Sequence, residues 1–223
     1  MAFVLQDSIL SFSTLREKAR KDLCESLDKM RGAKALVMDR SLSGPLGLVA
    51  EKQLIKDHGV EKTFHLRSDQ PLDTDLRRVV YLVRATMANM KTIAQHVKYH
   101  QQQRQKLEYL VCLVPGRDMI CERVLEDEGV YNDVQLGEYD LGLIPFEDDV
   151  LSMELSSSFR ECNLEGDKAS LLHVARCLVR LQQVCGTVPV IRGKGSAAKT
   201  VCDLMLPLAE EEGLGRGEGD GEG

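Results

Sequence analysis

Short apolar runs that alternate with stretches of helical periodicity, all ahead of Pro145, constrain this chain more than any other feature of its sequence. Runs of that kind form strands buried on both faces, which requires helices above and below the sheet and crossover connections between strands. The expected fold class is α/β: a doubly wound, parallel five-stranded sheet flanked by helices. The rhythm breaks over 139–154 (YDLGLIPFEDDVLSME), where a hydrophobic run meets Pro145 and then the acids Glu147, Asp148 and Asp149. That stretch is read as a seam. Residues 1–140 are expected to form the first domain and 141–209 an incomplete second α/β domain, with 210–223 a disordered acidic Gly/Glu tail.

Along the chain, the first helix is expected to be capped by Thr14 paired with Glu17 and to bury Leu15, Ala19, Leu23, Leu27 and Met30, with Gly32 closing it. KALVM at 34–38 reads as a buried strand that delivers Asp39 to the carboxyl edge of the sheet. The loop RSLSGPLG follows, then a helix over 46–58 stopped by Gly59. Further strands are expected at 62–66, 78–83, 107–114 and 130–139, with a loop at 67–75. One helix carries Met87, Met90, Ile93, Ala94 and Val97 on one side and fades into a solvated YHQQQRQK run; another spans 118–128 and stops at Gly129. Beyond the seam, Gly166 and Asp167 open a helix with a polar stripe of His173, Arg176, Arg180 and Gln183. TVPVI at 187–191 reads as a strand and 194–206 as a helix ended by Pro207.

Composition narrows the function classes. The chain has 223 residues, 43% hydrophobic and 29% charged, a globular balance. Its net charge of -6 is concentrated at the end: residues 210–223 hold six acids and one arginine, or -5, which leaves -1 for the rest (-6 minus -5). No basic surface stands out to grip nucleic acid. No run approaches the roughly 18 apolar residues of a membrane span, and MAFVLQDSILSFSTLREK lacks the basic start and apolar centre of a signal peptide, so a soluble cytosolic protein is expected. Seven scattered cysteines without a C-x-x-C pair fit reduced, mostly buried thiols rather than a disulfide frame or zinc site.

The sharpest catalytic motif is GKGSAAKT at 193–200, which matches the phosphate-binding pattern G-x-x-x-x-G-K-[ST] except that Ala198 replaces the second glycine. The backbone there must curl around a phosphate in a conformation that a Cβ resists. A nucleotide site using Lys199 and Thr200 is therefore carried only as the alternative function. In an open α/β sheet the reactive groups belong at the carboxyl ends of the strands. The inventory there is Asp39, Arg84, Pro115, Gly116 and Arg117. It contains no receiver-type acidic pair with its lysine, no G-x-S-x-G elbow and no G-x-G-x-x-G after the first strand. No catalytic, cofactor-binding or metal-binding residue is assigned, and the partner-binding residues stay unassigned. His96 and His100 read as a solvated helix end rather than a metal pair. Cys112 and Cys121 read as core thiols, the latter open to mild activation by a helix dipole. Met87, Met90 and Met119 read as core filling. Glu147, Asp148 and Asp149 form a solvated turn or hold a partner's Arg or Lys.

The ordered segments SGPLGLVAEKQLIKDHGVEKTF, YLVRATMANMKTIA, LVCLVPGRDMICERVLEDEGV, YDLGLIPFEDDVLSMEL and FRECNLEGD closely resemble the amino-terminal part of the vacuolar protein sorting-associated protein 33 subgroup of the SM (Sec/Munc) family of membrane-fusion regulators. EDEGVYNDV, DDVLSMEL and DLMLPLAEEEG look more like the subgroup's B form than its A form. The likeness runs from about residue 15 to 212. It implies a non-enzymatic scaffold that holds SNARE helices for vesicle docking and fusion, without cofactors. It also implies a partner subunit related to vacuolar protein sorting-associated protein 16 within a tethering complex, and a cytoplasmic location, peripheral on late endosomes and lysosomes. Family members are much longer, so a truncated form is expected, holding the first domain and the opening half of the second.

Overall fold

The computed structural model describes residues 12–147 and 150–213. Two compact units are formed, one of Glu17–Leu141 and one that includes the chain from Gly142 on. In the first, β1 (Lys34–Met38), β2 (Val60–His65), β3 (Arg78–Arg84), β4 (Glu108–Val114) and β5 (Val134–Glu138) line up in the order β2-β1-β3-β4-β5. Every adjacent pair is parallel, so the expected five-stranded sheet is present.

The strands owe their place to near-continuous apolar runs, which suit burial on both faces. Ala35, Val37, Val79, Tyr81, Val83, Tyr109, Val111 and Leu113 share one core with Met90, Ile93, Ala94 and Val97 of α4 (Met87–Gln102) and with Cys121 and Leu125 of α5 (Met119–Asp127). The alternate residues Leu36, Val80, Leu82, Leu110 and Cys112 are equally buried, and the two-residue period of a strand puts them on the opposite face. Helix α1 (Ser13–Asp28) is tied to the end of β5: the Tyr139 hydroxyl donates to the Ala19 carbonyl at 3.1 Å, and the Ser26 hydroxyl to the Glu138 carbonyl at 3.3 Å.

Several boundaries depart from the sequence reading. Helix α1 starts at Ser13, which puts Thr14 inside the first turn instead of at the cap, although Leu15, Ala19, Leu23, Leu27 and Met30 are buried as expected. The single helix expected over 46–58 is two helices, α2 (Ser43–Val49) and α3 (Lys52–Asp57), preceded by a short 3-10 turn at Arg40–Leu42. Ala50 breaks it with an extended backbone (φ -136, ψ 131), and no glycine or proline marks the spot. Strand β5 is shorter than its expected run because a 3-10 turn occupies Tyr131–Asp133. Helix α4 continues to Gln102 and absorbs the start of the polar run, because His96 and His100 face the core.

Helix α2 offers a clean test of its own geometry. An added Cβ at Gly47 would meet nothing within 4 Å, and the position is helical. Gly47→Ala is therefore expected to raise stability by about 0.5–1 kcal/mol, read as a higher denaturation midpoint at unchanged denaturant slope.

In the second unit a short antiparallel pair, β6 (Ile144–Pro145) and β7 (Leu151–Ser152), precedes a helical turn α6 (Ser158–Arg160) and a π turn at Glu161–Glu165. Helices α7 (Ala169–Cys185) and α8 (Ser196–Glu211) pack Ala175 and Val179 against Val201 and Met205. The opening of α7 is as read: Gly166 is left-handed at φ 71, and the Asp167 carboxylate accepts from the Ala169 N–H at 2.9 Å. TVPVI does not form a strand; one backbone bridge at Thr187 is all that the described residues show there. Pro189 removes a ladder donor in the middle of the run. Pro207 lies inside α8 instead of ending it. The ring removes one N–H, and the helix continues because Leu204, Met205, Leu208 and Ala209 keep packing on α7. Glu210 and Glu211, assigned to the tail, are thus helical. Asp148, Asp149 and residues 214–223 lie outside the described residues. Among the described residues no helix is long and apolar enough to cross a membrane.

Candidate functional site

In a sheet ordered β2-β1-β3-β4-β5, ligand sites form beyond the carboxyl ends of β1 and β3, where the chain leaves toward opposite faces. Asp39 and Arg84, both expected there, are joined at that point through Ser41 and Asn89. The Asp39 carboxylate accepts from the Ser41 N–H at 2.9 Å, the Ser41 hydroxyl at 2.9 Å and the Asn89 amide at 2.8 Å. The Asn89 amide also donates to the Arg84 carbonyl at 2.9 Å, and Arg84 Nε donates to the Ser41 hydroxyl at 3.1 Å. Burial pushes the Asp39 carboxyl up, but the donors from Ser41 and Asn89 outweigh it and hold the group below the usual carboxylate range. Ser41 and Asn89 were not among the sequence candidates. The signals were local: a serine two residues after an aspartate makes an Asx turn, and Thr86 caps α4 by accepting from the Asn89 N–H at 3.3 Å.

This arrangement braces the edge. The three donors to the Asp39 carboxylate tie the end of β1 to the turn that follows it and to α4. Arg117, at the end of β4, is clamped by both oxygens of Glu122 at 2.7 and 2.8 Å. Among the described residues no group of three or more His, Cys, Asp or Glu is placed to hold a metal ion.

The cysteine and methionine readings are partly corrected. Cys112 and Cys121 are core thiols at 1% and 2% exposure. The helix dipole does not activate Cys121: burial and then the Asp118 charge push its thiol up to about 11. Met90 is buried, but Met87 and Met119 are 55% and 87% exposed. Each is the first residue of its helix, next to the capping Thr86 or Asp118 and off the buried stripe.

The histidines are the larger correction. Neither lies at a frayed, solvated end; His96 is 4% and His100 1% exposed. His96 Nδ1 lies 3.2 Å from the Tyr81 hydroxyl, and its Nε2 lies 3.1 and 3.2 Å from the Arg67 and Gln70 carbonyls. His100 repeats the pattern, 2.9 Å from the Tyr109 hydroxyl and 2.7 Å from the Leu72 carbonyl. A polar tract with helical spacing reads as solvent-facing unless the tyrosines on the strands before and after the helix are known to be its partners.

Lys34, read as the first residue of a strand, is 1% exposed. Its ammonium donates to the Leu27 carbonyl at 2.7 Å and the His58 carbonyl at 2.8 Å, closing the C-terminal ends of α1 and α3 with one cation. Burial lowers its pKa, and the Asp28 charge works in the opposite direction.

The GKGSAAKT loop lacks the setting that a phosphate site needs. Among the described residues no strand leads directly into it, Gly195 ends the loop at φ 94, and an added Cβ at Gly193 would already touch Ala198 Cβ at 3.0 Å. Lys199 is exposed on the first turns of α8.

Comparison with known proteins bears on all of these features together. The Sec1 family model matches residues 34–212. Vacuolar protein sorting-associated protein 33A of Rattus norvegicus is 41% identical over 212 residues, 95% of this chain and 36% of that protein. The Arabidopsis thaliana homolog is 35% identical over 208 residues, 93% of this chain and 35% of that protein. The 33B protein of Mus musculus is 36% identical over 201 residues, 90% of this chain and 32% of that protein. The chain thus spans about a third of the length of the curated relatives it matches. The segmental leaning toward the B form is not what whole-length identity follows, since the rat A form stands above the mouse B form. Among solved structures, the Unc18–syntaxin 1 complex from Monosiga brevicollis superposes at TM-score 0.69 with 15% identity, covering 92% of this chain and 38% of that one. Sly1p in complex with an N-terminal peptide of Sed5p gives 0.66 with 14% identity, covering 93% and 39%. Such low identity speaks for the fold alone, and the fold, the family model and the curated relatives agree: the chain belongs to the Sec1 family.

Proposed function

We propose that this chain is a non-enzymatic, SNARE-binding scaffold for vesicle docking and fusion, acting at late endosomes and lysosomes with a tethering-complex subunit related to vacuolar protein sorting-associated protein 16. The observation that carries the reading is the Sec1-family match across residues 34–212, joined to a sheet edge whose polar groups bind one another. The structural neighbours include complexes with syntaxin 1, with a Sed5p peptide and with the Qa SNARE Tlg2, which supports polypeptides as the ligand class. In this reading residues 1–140 are the first SM-type domain and 141–209 belong to the second. Attachment to membranes runs through partners. Affinity would come from apolar anchors in grooves, with charge setting orientation.

Isothermal titration of the folded chain with the cytoplasmic region of a syntaxin-class SNARE tests the proposal. Saturable binding is expected; a folded chain that binds no such segment would overturn it.

A further inference from the structure

Helix α4 turns two imidazoles into the core one turn apart, and both make the same pair of contacts. On Nδ1 each meets a sheet tyrosine, Tyr81 or Tyr109; on Nε2 each meets a backbone carbonyl of loop 66–76. A carbonyl only accepts, so Nε2 carries the proton on both rings. Nδ1 is left to accept from the tyrosine hydroxyl. Every site on both rings is filled, with Nδ1 accepting from the tyrosine only while the ring is neutral. The same loop is pinned from below by Leu72, which is buried in the α4 core.

We propose that His96 and His100 form a clasp that holds loop 66–76 over the sheet, and that protonation of His96 in acid loosens it. A proton added at Nδ1 replaces an acceptor with a donor opposite a tyrosine O–H, so that bond is lost in its present sense and a cation appears in the core. The groups facing the rings offer no countercharge. They are Tyr81 from β3, Tyr109 from β4, and Tyr99 and the other histidine from α4. From the loop, the Arg67 guanidinium is engaged with Asp69 at 2.8 Å. The phenols cannot supply an anion: burial raises the pKa of Tyr81, and burial together with Asp133 pushes Tyr109 up to about 12. Two charged rings at i, i+4 would also repel each other.

The sign follows from linkage. Burial holds the His96 pKa below its ordinary value, so the unfolded or opened chain takes up the proton first. The clasp is at full strength above about pH 6.5 and weakens as pH falls from there toward the lower folded value.

Amide hydrogen exchange of residues 66–76, corrected for intrinsic rates, measures the opening constant at pH 7.5 and 5.5 in the intact chain and in the His96→Gln/His100→Gln variant. Glutamine offers an N–H donor and an oxygen acceptor but does not titrate here. The one proton that His96 excludes should raise the opening constant of the natural chain below pH 6.5 by at most about tenfold per pH unit, and that of the variant should stay flat. Equal opening at both pH values in the natural chain, or the same rise in the variant, would overturn the clasp. Where the double variant fails to fold, ring nitrogen shifts of the natural chain decide. A neutral His96 ring with the proton on Nε2 at pH 6 supports it, and a His96 ring titrating as in an open peptide overturns it.

Discussion

Gly59→Ala is expected to cost about 2–4 kcal/mol, read as a lower midpoint in chemical denaturation. Gly59 follows α3 at φ +83, a left-handed conformation that side chains rarely adopt, and an added Cβ would lie 2.7 Å from the Gly32 carbonyl oxygen. Both partners in that clash are backbone. Gly32 is itself at φ +90, and the Gly59 carbonyl accepts from the Lys34 N–H at 2.9 Å, so neither segment can yield without loosening the start of β1. The opposite sign expected at Gly47, where a Cβ meets open space, makes the two alanines an internal control. Equal effects at the two positions would contradict the geometry.

Lys34→Met is expected to cost a further large amount, about 2–4 kcal/mol, although it keeps the length of the side chain and makes it more apolar. On hydrophobicity alone the substitution should help a buried strand. The structure argues otherwise, because the ammonium is the donor shared by the Leu27 and His58 carbonyls, and its removal leaves two buried helix ends without it. Lys34→Arg is not a rescue, since a planar fork does not fit a point between two carbonyls. Thermal unfolding of Lys34→Met at or above the midpoint of the natural chain would show that the carbonyls find other partners.

These two sites also mark how far the sequence could be read. The parallel sheet was legible because LEYLVCLV, RVVYLV and KALVM are continuous apolar runs, and the intervening stripe of Met90, Ile93, Ala94 and Val97 has helical spacing. Asp39 and Arg84 were legible as edge residues because strand ends set the edge. Much of what escaped depended on a partner far along the chain. Lys34 looked like a strand flank, and its acceptors are 7 and 24 residues away. His96 and His100 looked solvated because they sit in a polar tract, yet their carbonyl partners lie 26 to 29 residues back. Ala50 interrupts a helix without any breaker residue, and Pro207 fails to interrupt one because the packing of α8 on α7 outweighs a missing hydrogen bond. In the second unit TVPVI carried a strand-like composition, but a strand requires a neighbour, and composition cannot show whether one is present.

The proposal that this chain recognises polypeptides rests on its membership of the Sec1 family, and its rival is a nucleotide site over residues 193–200. A nitrogen-15 amide spectrum of the folded chain, titrated in parallel with a syntaxin-class SNARE cytoplasmic segment and with magnesium ATP, sets the two readings against each other. A contiguous set of amides within Glu17–Leu141 should shift and saturate with the SNARE segment, while magnesium ATP leaves the spectrum unchanged. Shifts gathered over residues 193–200 with magnesium ATP, and none with the SNARE segment, would contradict the account.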